Sequence, residues 1–354
     1  MNLLKDADRV RRRYDELWNL ENHDRPILTI QTPKRNAPPA PEPPQEVEAR
    51  WLDFDYLIKK ARYQAENSYY TAETVPFYWP NLGPDIFAAM LGCSLQFSVD
   101  TCWSHPIVES WEDFHTFSID KGNEWYRKLI DLTTLAVEDA KGDYAVGITD
   151  LHPGADAMVA LRGPENLCLD LMDDPEQASD ILMKLLPPLK DIFTQLYNLT
   201  KENNGGGTTN WMTTYCNEPW YVTSCDFCTM ISGEQFDSFV LPELLAEVDF
   251  FGNSIFHLDG VGAFRHLDRL LRIENLKGVQ LVPGEGEKPI YECREEIRKI
   301  QQSKKMLQFY GKPEDVLKAC EFLEPEGVHI LTFTDSPDEA DAFVKEVEWR
   351  FRHR

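Results

Sequence analysis

From residue 144 onward the chain repeats one pattern: a short apolar, β-rich run, a polar loop, then a longer stretch with apolar positions at helical spacing. The runs are YAVGITDLH (144–152), GGTTNWMTTY (206–215), NSIFHLDG (253–260), KGVQLVPG (277–284), KMLQFYG (305–311) and GVHILTFTD (327–335). Between them lie helical stretches such as PEQASDILMKLLPPLKDIFTQLYNLTKE and SPDEADAFVKEVEWRF. Such alternation predicts a parallel sheet with helical crossovers. Upstream, residues 5–19 predict a helix, DRPILTIQT a first strand, and EVEARWLDFDYLIKKARYQAENSYY a further helix. The proline cluster PKRNAPPAPEPPQ cannot be regular structure and predicts a surface loop, either a solvated linker or part of a lid. The aromatic stretch VPFYWPNLGPDIFAAMLG either packs or lines a pocket.

Six strand–helix units plus one or two earlier strands approach the eight of a (β/α)8 TIM barrel. No glycine-rich dinucleotide fingerprint follows any strand, which disfavours a doubly wound sheet. The expected architecture is one α/β domain over 1–354, with residues 1–80 supplying the N-terminal helical extension, the first strand and the proline-rich loop.

At 354 residues the chain can bury a large core, and a net charge of -24 repels nucleic-acid phosphates and anionic lipid surfaces. No run approaches the roughly 18 apolar residues of a membrane helix, and the charged N-terminus is unlike a signal peptide. A cytoplasmic protein with no nucleic-acid or membrane partner is expected. Eight cysteines scattered over a long chain predict reduced thiols, mostly core filler, and Cys225 and Cys228 form a single CxxC.

Barrel enzymes carry their chemistry at the C-terminal ends of the strands. The run ending FHLDG places His257 and Asp259 two apart, so both side chains of a strand there face one cavity. That is a ligand geometry. The alternative is a core histidine followed by an aspartate that turns the chain or caps the next helix. Asp150 and His152 show the same spacing, and the unit after NNGGG runs into Cys216, Asn217 and Glu218. Later ends supply Gln280 and Glu285, Gln308 and Tyr310, and Thr332, Thr334 and Asp335. Zinc takes imidazole, thiolate and carboxylate ligands, so His257 and Asp259 could hold it with a third ligand from Glu218, Cys216, Cys225 or Cys228. Metal-free acid–base chemistry by a carboxylate beside histidine is the competing reading.

LRGPENLCLDLMDDPEQASDILMKL, SCDFCTMISGEQFDSFVLPELLAEVD and FHLDGVGAFRHLDRLLRIENLKGVQLVPG resemble, in that order, the uroporphyrinogen decarboxylase-like superfamily. The likeness spans about residues 140 to 345. Its most specific piece is a strand ending His-x-(Cys or Asp)-Gly. The resemblance implies a TIM barrel, and the superfamily also contains zinc-dependent, corrinoid-linked methyltransferases. The Arg-Gln-Ala-Gly-Arg segment of the porphyrin decarboxylases is missing, with only Lys34 and Arg35 in its place. Coenzyme M-type methyltransferases hold zinc with His-x-Cys-Gly and a second cysteine; here Asp259 replaces the first, and LTFTDSPDE lacks the second. The departure points to a nitrogen–oxygen site, or to loss of the metal altogether.

The expectation is a zinc-dependent methyltransferase moving a methyl group from a small methoxy or methylamine substrate to a corrinoid (cobalamin) carried by a partner protein. His257, Asp259, Glu218 and Cys225 are the candidate metal ligands. His257, Asp259, Asp150 and His152 are the candidate catalytic groups, while Asn217, Gln280, Trp211, Trp220 and Tyr310 would contact substrate. A metal-independent decarboxylase or lyase using Asp259 or Asp150 as acid, and a non-catalytic accessory barrel, are the alternatives. The resemblance also suggests a homodimer.

Overall fold

The computed structural model describes residues 7–353; residues 5–6 of the first expected helix lie outside this range. At the centre is a parallel sheet of six strands in the order β1-β10-β9-β8-β7-β6: β1 (Ile27–Gln31), β6 (Tyr221–Ser224), β7 (Ser254–Asp259), β8 (Gly278–Val282), β9 (Met306–Tyr310) and β10 (Val328–Phe333). A second parallel pair joins β2 (Phe77–Tyr78) to β5 (Ala145–Val146), and β3 (Ser94–Phe97) with β4 (Cys102–His105) forms an antiparallel hairpin. Further hydrogen bonds continue the strand edges and the β2–β5 pairing. Glu73 N donates to Leu28 O (3.1 Å), Gly147 N to Tyr78 O (2.8 Å) and Ile148 N to Thr209 O (2.9 Å). Among the described residues no helix is long and apolar enough to cross a membrane.

The alternation along each strand separates two environments. Leu28, Ile30, Phe256, Leu258, Val279, Leu281, Leu307, Phe309, Val328 and Ile330 join the large core shared with the crossover helices. The opposite face is stratified. At the N-terminal end of the strands Val222, Ile255 and Met306 pack with Ile27 into a separate apolar cluster. Gly278 pairs with Met306 in register there, and a Cβ on it would come within 2.6 Å of the Met306 Cβ. The helix Ala7–Trp18 seals this end because its apolar residues Val10, Tyr14, Leu17 and Trp18 recur on one face and meet Trp220 and Met212. Beside it the buried Glu73 carboxylate accepts from Arg25 (2.7 and 2.9 Å) and Leu28 N (3.1 Å), with Arg13 at 3.4 Å.

One level up the same face turns polar. The register aligns His257, Gln280, Gln308 and His329 across β7, β8, β9 and β10.

Two expected strands differ. YAVGITDLH is extended only at Ala145–Val146, since the Asn204 side chain brackets Val146, accepting from its N–H (2.9 Å) and donating to its carbonyl (2.8 Å) where a neighbouring strand would pair. GGTTNWMTTY makes isolated bridges from Thr208 and Asn210 only. Asn210 Oδ1 accepts from Met212 N (3.0 Å), bending the run, and Thr213 has a positive φ of 61°. The strand of this unit begins at Tyr221 instead. The proline-rich segment has no helix and only the Pro33 bridge to Ser68 before Ala49, whereas the helix Pro175–Thr200 continues through Pro187 and Pro188.

Candidate metal centre and adjoining cleft

β7 ends on His257 and Asp259, which share a face because they are two apart in an extended strand. The register sets Gln280 beside His257, and Gln280 Oε1 is hydrogen-bonded to the ring Nδ1. With Nδ1–H donating to that amide oxygen, Nε2 carries the free lone pair. It lies 3.9 Å from Asp259 Oδ2. Trp211 stands edge-on to the imidazole, with ring centres 5.1 Å apart.

A third group arrives from the neighbouring unit. After β6 the chain enters a short 3-10 helix, Asp226–Met230, whose first two N–H groups donate to the buried Asp156 carboxylate at 2.9 Å each. This cap fixes Asp226. His152 Nε2 lies 3.1 Å from Asp156 Oδ2 and 3.3 Å from Asp226 Oδ2. Burial alone would depress the pKa of His152, but the two carboxylates outweigh it and raise it well above the ordinary histidine value. Burial pushes the Asp226 carboxyl up, and the His152 hydrogen bond and charge more than offset this, leaving it below the usual range. Asp150 is raised by burial, partly opposed by His152 and His257; Asp259 is raised by burial, partly opposed by His257.

Two sets of potential ligand atoms each converge within 4.8 Å: His152, Asp156 and Asp226, and Asp226, His257 and Asp259. They are chemically different. In the first, both Asp156 oxygens accept backbone N–H groups and the cationic His152 satisfies the rest, a closed ion-pair network. In the second, His257 Nε2 is free, the Asp259 side chain is 40% exposed, and Asp226 Oδ1 is buried without a partner. That orphaned oxygen beside an imidazole and a carboxylate fits zinc, which accepts three such ligands and leaves a position for substrate.

His257, Asp259, Asp150 and His152 are therefore brought together, with Gln280 and Trp211 beside them. Asp150 and His152 do not share a face through strand alternation. Asp150 Oδ1 accepts from His152 N (3.1 Å) in a turn where His152 has a positive φ of 42°. Tyr310, half-exposed at the end of β9, is raised in pKa by burial and then by Asp259 and Glu285.

The other expected residues lie elsewhere. Glu218 accepts from the Asn253 side chain (3.0 Å) just before β7 begins, at the opposite end of the strands from Asp259. Asn217 donates to Asp15 (2.6 Å) on the N-terminal helix. Trp220 is fully buried against Trp18 and donates to Thr208 O (3.2 Å). These three follow an irregular run and precede β6, which begins only at Tyr221, so they sit at the sealed end. Cys225 and Cys228 belong to the apolar core; the hydrogen bond between them and burial raise Cys225 far above an ordinary thiol, keeping it protonated. Burial likewise pushes Cys216 up to about 12. Asp226 and Asp156 are the site residues the sequence reading missed. Asp226 lies inside the CxxC that drew notice for its thiols, and Asp156 stands four residues after His152, a spacing that becomes meaningful once a helix starts at Gly154.

Trp211 also lines a cleft of about 770 Å³. Its walls come from the end of β1, from the aromatic run Phe77, Tyr78 and Trp79, from the helix Phe54–Asn67, and from Pro43 of the proline-rich segment. Lys34 and Arg35 are not among its walls; they bond to Glu66 O and Asp338 on the surface.

The fold is shared with a solved methyltransferase from Methanosarcina mazei, at a TM-score of 0.61 and 12% identity, over 96% of this chain and 98% of that one. No protein-family profile matches the chain, and no curated protein matches it.

Proposed function

We propose that this protein is a (β/α)8 methyltransferase that removes a methyl group from a small methoxy or methylamine substrate and delivers it to a corrinoid carried by a separate protein. The backbone bonds from Glu73 to β1, within the β2–β5 pair, and from Ile148 to Thr209 support a barrel in which the small sheet continues from the β1 edge. The observation that carries the reading is the convergence of Asp226, His257 and Asp259 within 4.8 Å, with Trp211, a wall residue of the aromatic cleft, edge-on to His257.

Zinc would be held by His257, Asp259 and Asp226, the last taking the place of Glu218 or Cys225 in the expected set. When bound, zinc supplies a Lewis acid for the charge that develops on the atom losing the methyl group. The chain's own residues do the rest. Gln280 fixes the tautomer of His257 and aims Nε2 at the two carboxylates. His152 keeps Asp226 ionised, and Asp156 holds its backbone in place. Trp211 belongs both to the cleft wall and to the surroundings of His257, so it joins the two. The partner would dock over the open end, where Tyr310 and Asp259 are exposed.

Purified protein is expected to contain about one zinc per chain and to form methylcobalamin from reduced cobalamin and a methylated donor. Reproducible absence of zinc with retained turnover would overturn the metal assignment. Absence of zinc together with no methylcobalamin formed would favour a decarboxylase or lyase instead, a reading supported by Asp150, whose proton burial holds more tightly than usual.

A further inference from the structure

The cleft beside the ligand cluster has a composition unlike the rest of the molecule. The chain carries a net charge of -24, yet Arg50 and Lys60 stand in the cleft wall against one carboxylate, Asp100. Neither cation has an ion-pair partner among the described residues. Arg50 donates through Nε to Pro44 O (2.9 Å), which leaves its terminal nitrogens free. Around them the wall is built of rings: Trp51, Tyr56, Tyr70, Phe77, Trp79 and Trp211. Buried without partners among the wall residues are Trp211 Nε1, Thr213 Oγ1 and Tyr78 Oη. A buried polar atom left unpaired costs free energy that a ligand or water recovers by bonding to it.

Rings, unpaired cations and polar atoms together describe one kind of occupant. Flat aromatic faces favour a flat aromatic ligand. Free guanidinium and ammonium groups favour an anionic substituent on it and disfavour a quaternary ammonium. We propose that the cleft binds an aromatic carboxylate, its ring among the tryptophans and its carboxylate toward Arg50 and Lys60. The inference rests on the methyl-transfer reading for the idea that such a ligand carries a methoxy group directed at Trp211 and the His257 cluster.

The test is binding, measured by quenching of intrinsic tryptophan fluorescence and by calorimetry, with neither zinc nor cobalamin added. The probes are 4-methoxybenzoate, the uncharged 4-methoxybenzyl alcohol, and tetramethylammonium. Saturable binding of the carboxylate, at least about fivefold tighter than the alcohol, is expected, and the Arg50→Gln/Lys60→Gln double variant should erase that preference. Both positions are at least partly exposed, so circular dichroism should show an intact fold. No saturation by the carboxylate, equal binding of acid and alcohol, a preference that survives the double variant, or tighter binding of tetramethylammonium would each overturn the proposal. Aromatic carboxylate binding without any methylcobalamin formation would sink the methyl-transfer reading alone. Methylcobalamin made from a donor without a ring, with no aromatic binding, would sink the ligand class alone.

Discussion

Two histidines of the same polar row, His257 on β7 and His329 on β10, show how one sheet face is divided. Both are reached through Gln280 and Gln308 in register, yet their surroundings differ at each ring nitrogen. His329 is fully buried, with Thr29 Oγ1 and Thr214 Oγ1 each 2.9 Å from a ring nitrogen and Tyr14 edge-on beside it. Burial, only slightly opposed by Glu73, depresses its pKa to about 4. His257 has one nitrogen engaged by Gln280 and the other within 4.8 Å of carboxylate oxygens of Asp226 and Asp259. A polar group satisfied on every side stabilises a fold, while one left half-satisfied is available to a ligand. Residue type does not distinguish the two; the partners do.

The largest way to break this contrast is to open the sealed end. Glu73→Gln leaves the buried Arg25 with only the half-buried Glu348 as a carboxylate partner, at 3.6 Å, and is expected to cost about 3 kcal/mol in urea unfolding, with zinc content per folded chain unchanged. At the open end His257→Gln should do the reverse, retaining stability while zinc is lost and turnover falls about 10²- to 10³-fold. If that variant keeps its zinc, the ligand assignment is wrong.

The pH response sharpens the comparison further. His329 has a folded pKa below its unfolded value near 6.5, so its contribution is fully present above about pH 6.5. It is lost as pH falls toward 4, amounting to ~3 kcal/mol across that window. His329→Leu should remove this part of the slope in thermal melts between pH 7 and 4. His152 runs the other way. Its raised pKa makes its contribution present below the unfolded value and lost as pH rises through the folded one. The smallest effect is expected from Gln280→Leu. It frees the His257 ring without removing a ligand and should weaken zinc affinity about 10- to 100-fold in a chelator competition.

Much of this was legible in the chain itself. The alternation of apolar runs and helical stretches located five of the six strands of the central sheet, because burial on one face writes a period of two into a strand. The pairing of His257 with Asp259 followed from the same period. Where side chains replaced backbone partners the pattern failed. Asn204 takes the place of a strand beside Val146, and Asn210 bends the run expected to pair there, so the strand of that unit lies further on, at Tyr221–Ser224, and Asn217, Glu218 and Trp220 sit at the sealed end before it.

What the sequence by itself determined, then, is an α/β chain with parallel strands, its acidic surface, and one imidazole–carboxylate pair at a strand end. These are consequences of local periodicity and composition. Tertiary structure alone decided that Asp226, rather than a cysteine or Glu218, joins that pair, that His152 serves as its cation, and that Arg50 and Lys60 stand unpaired in a cleft of rings. Those facts depend on which loops meet across distances of tens to hundreds of residues, and no spacing along the chain encodes them.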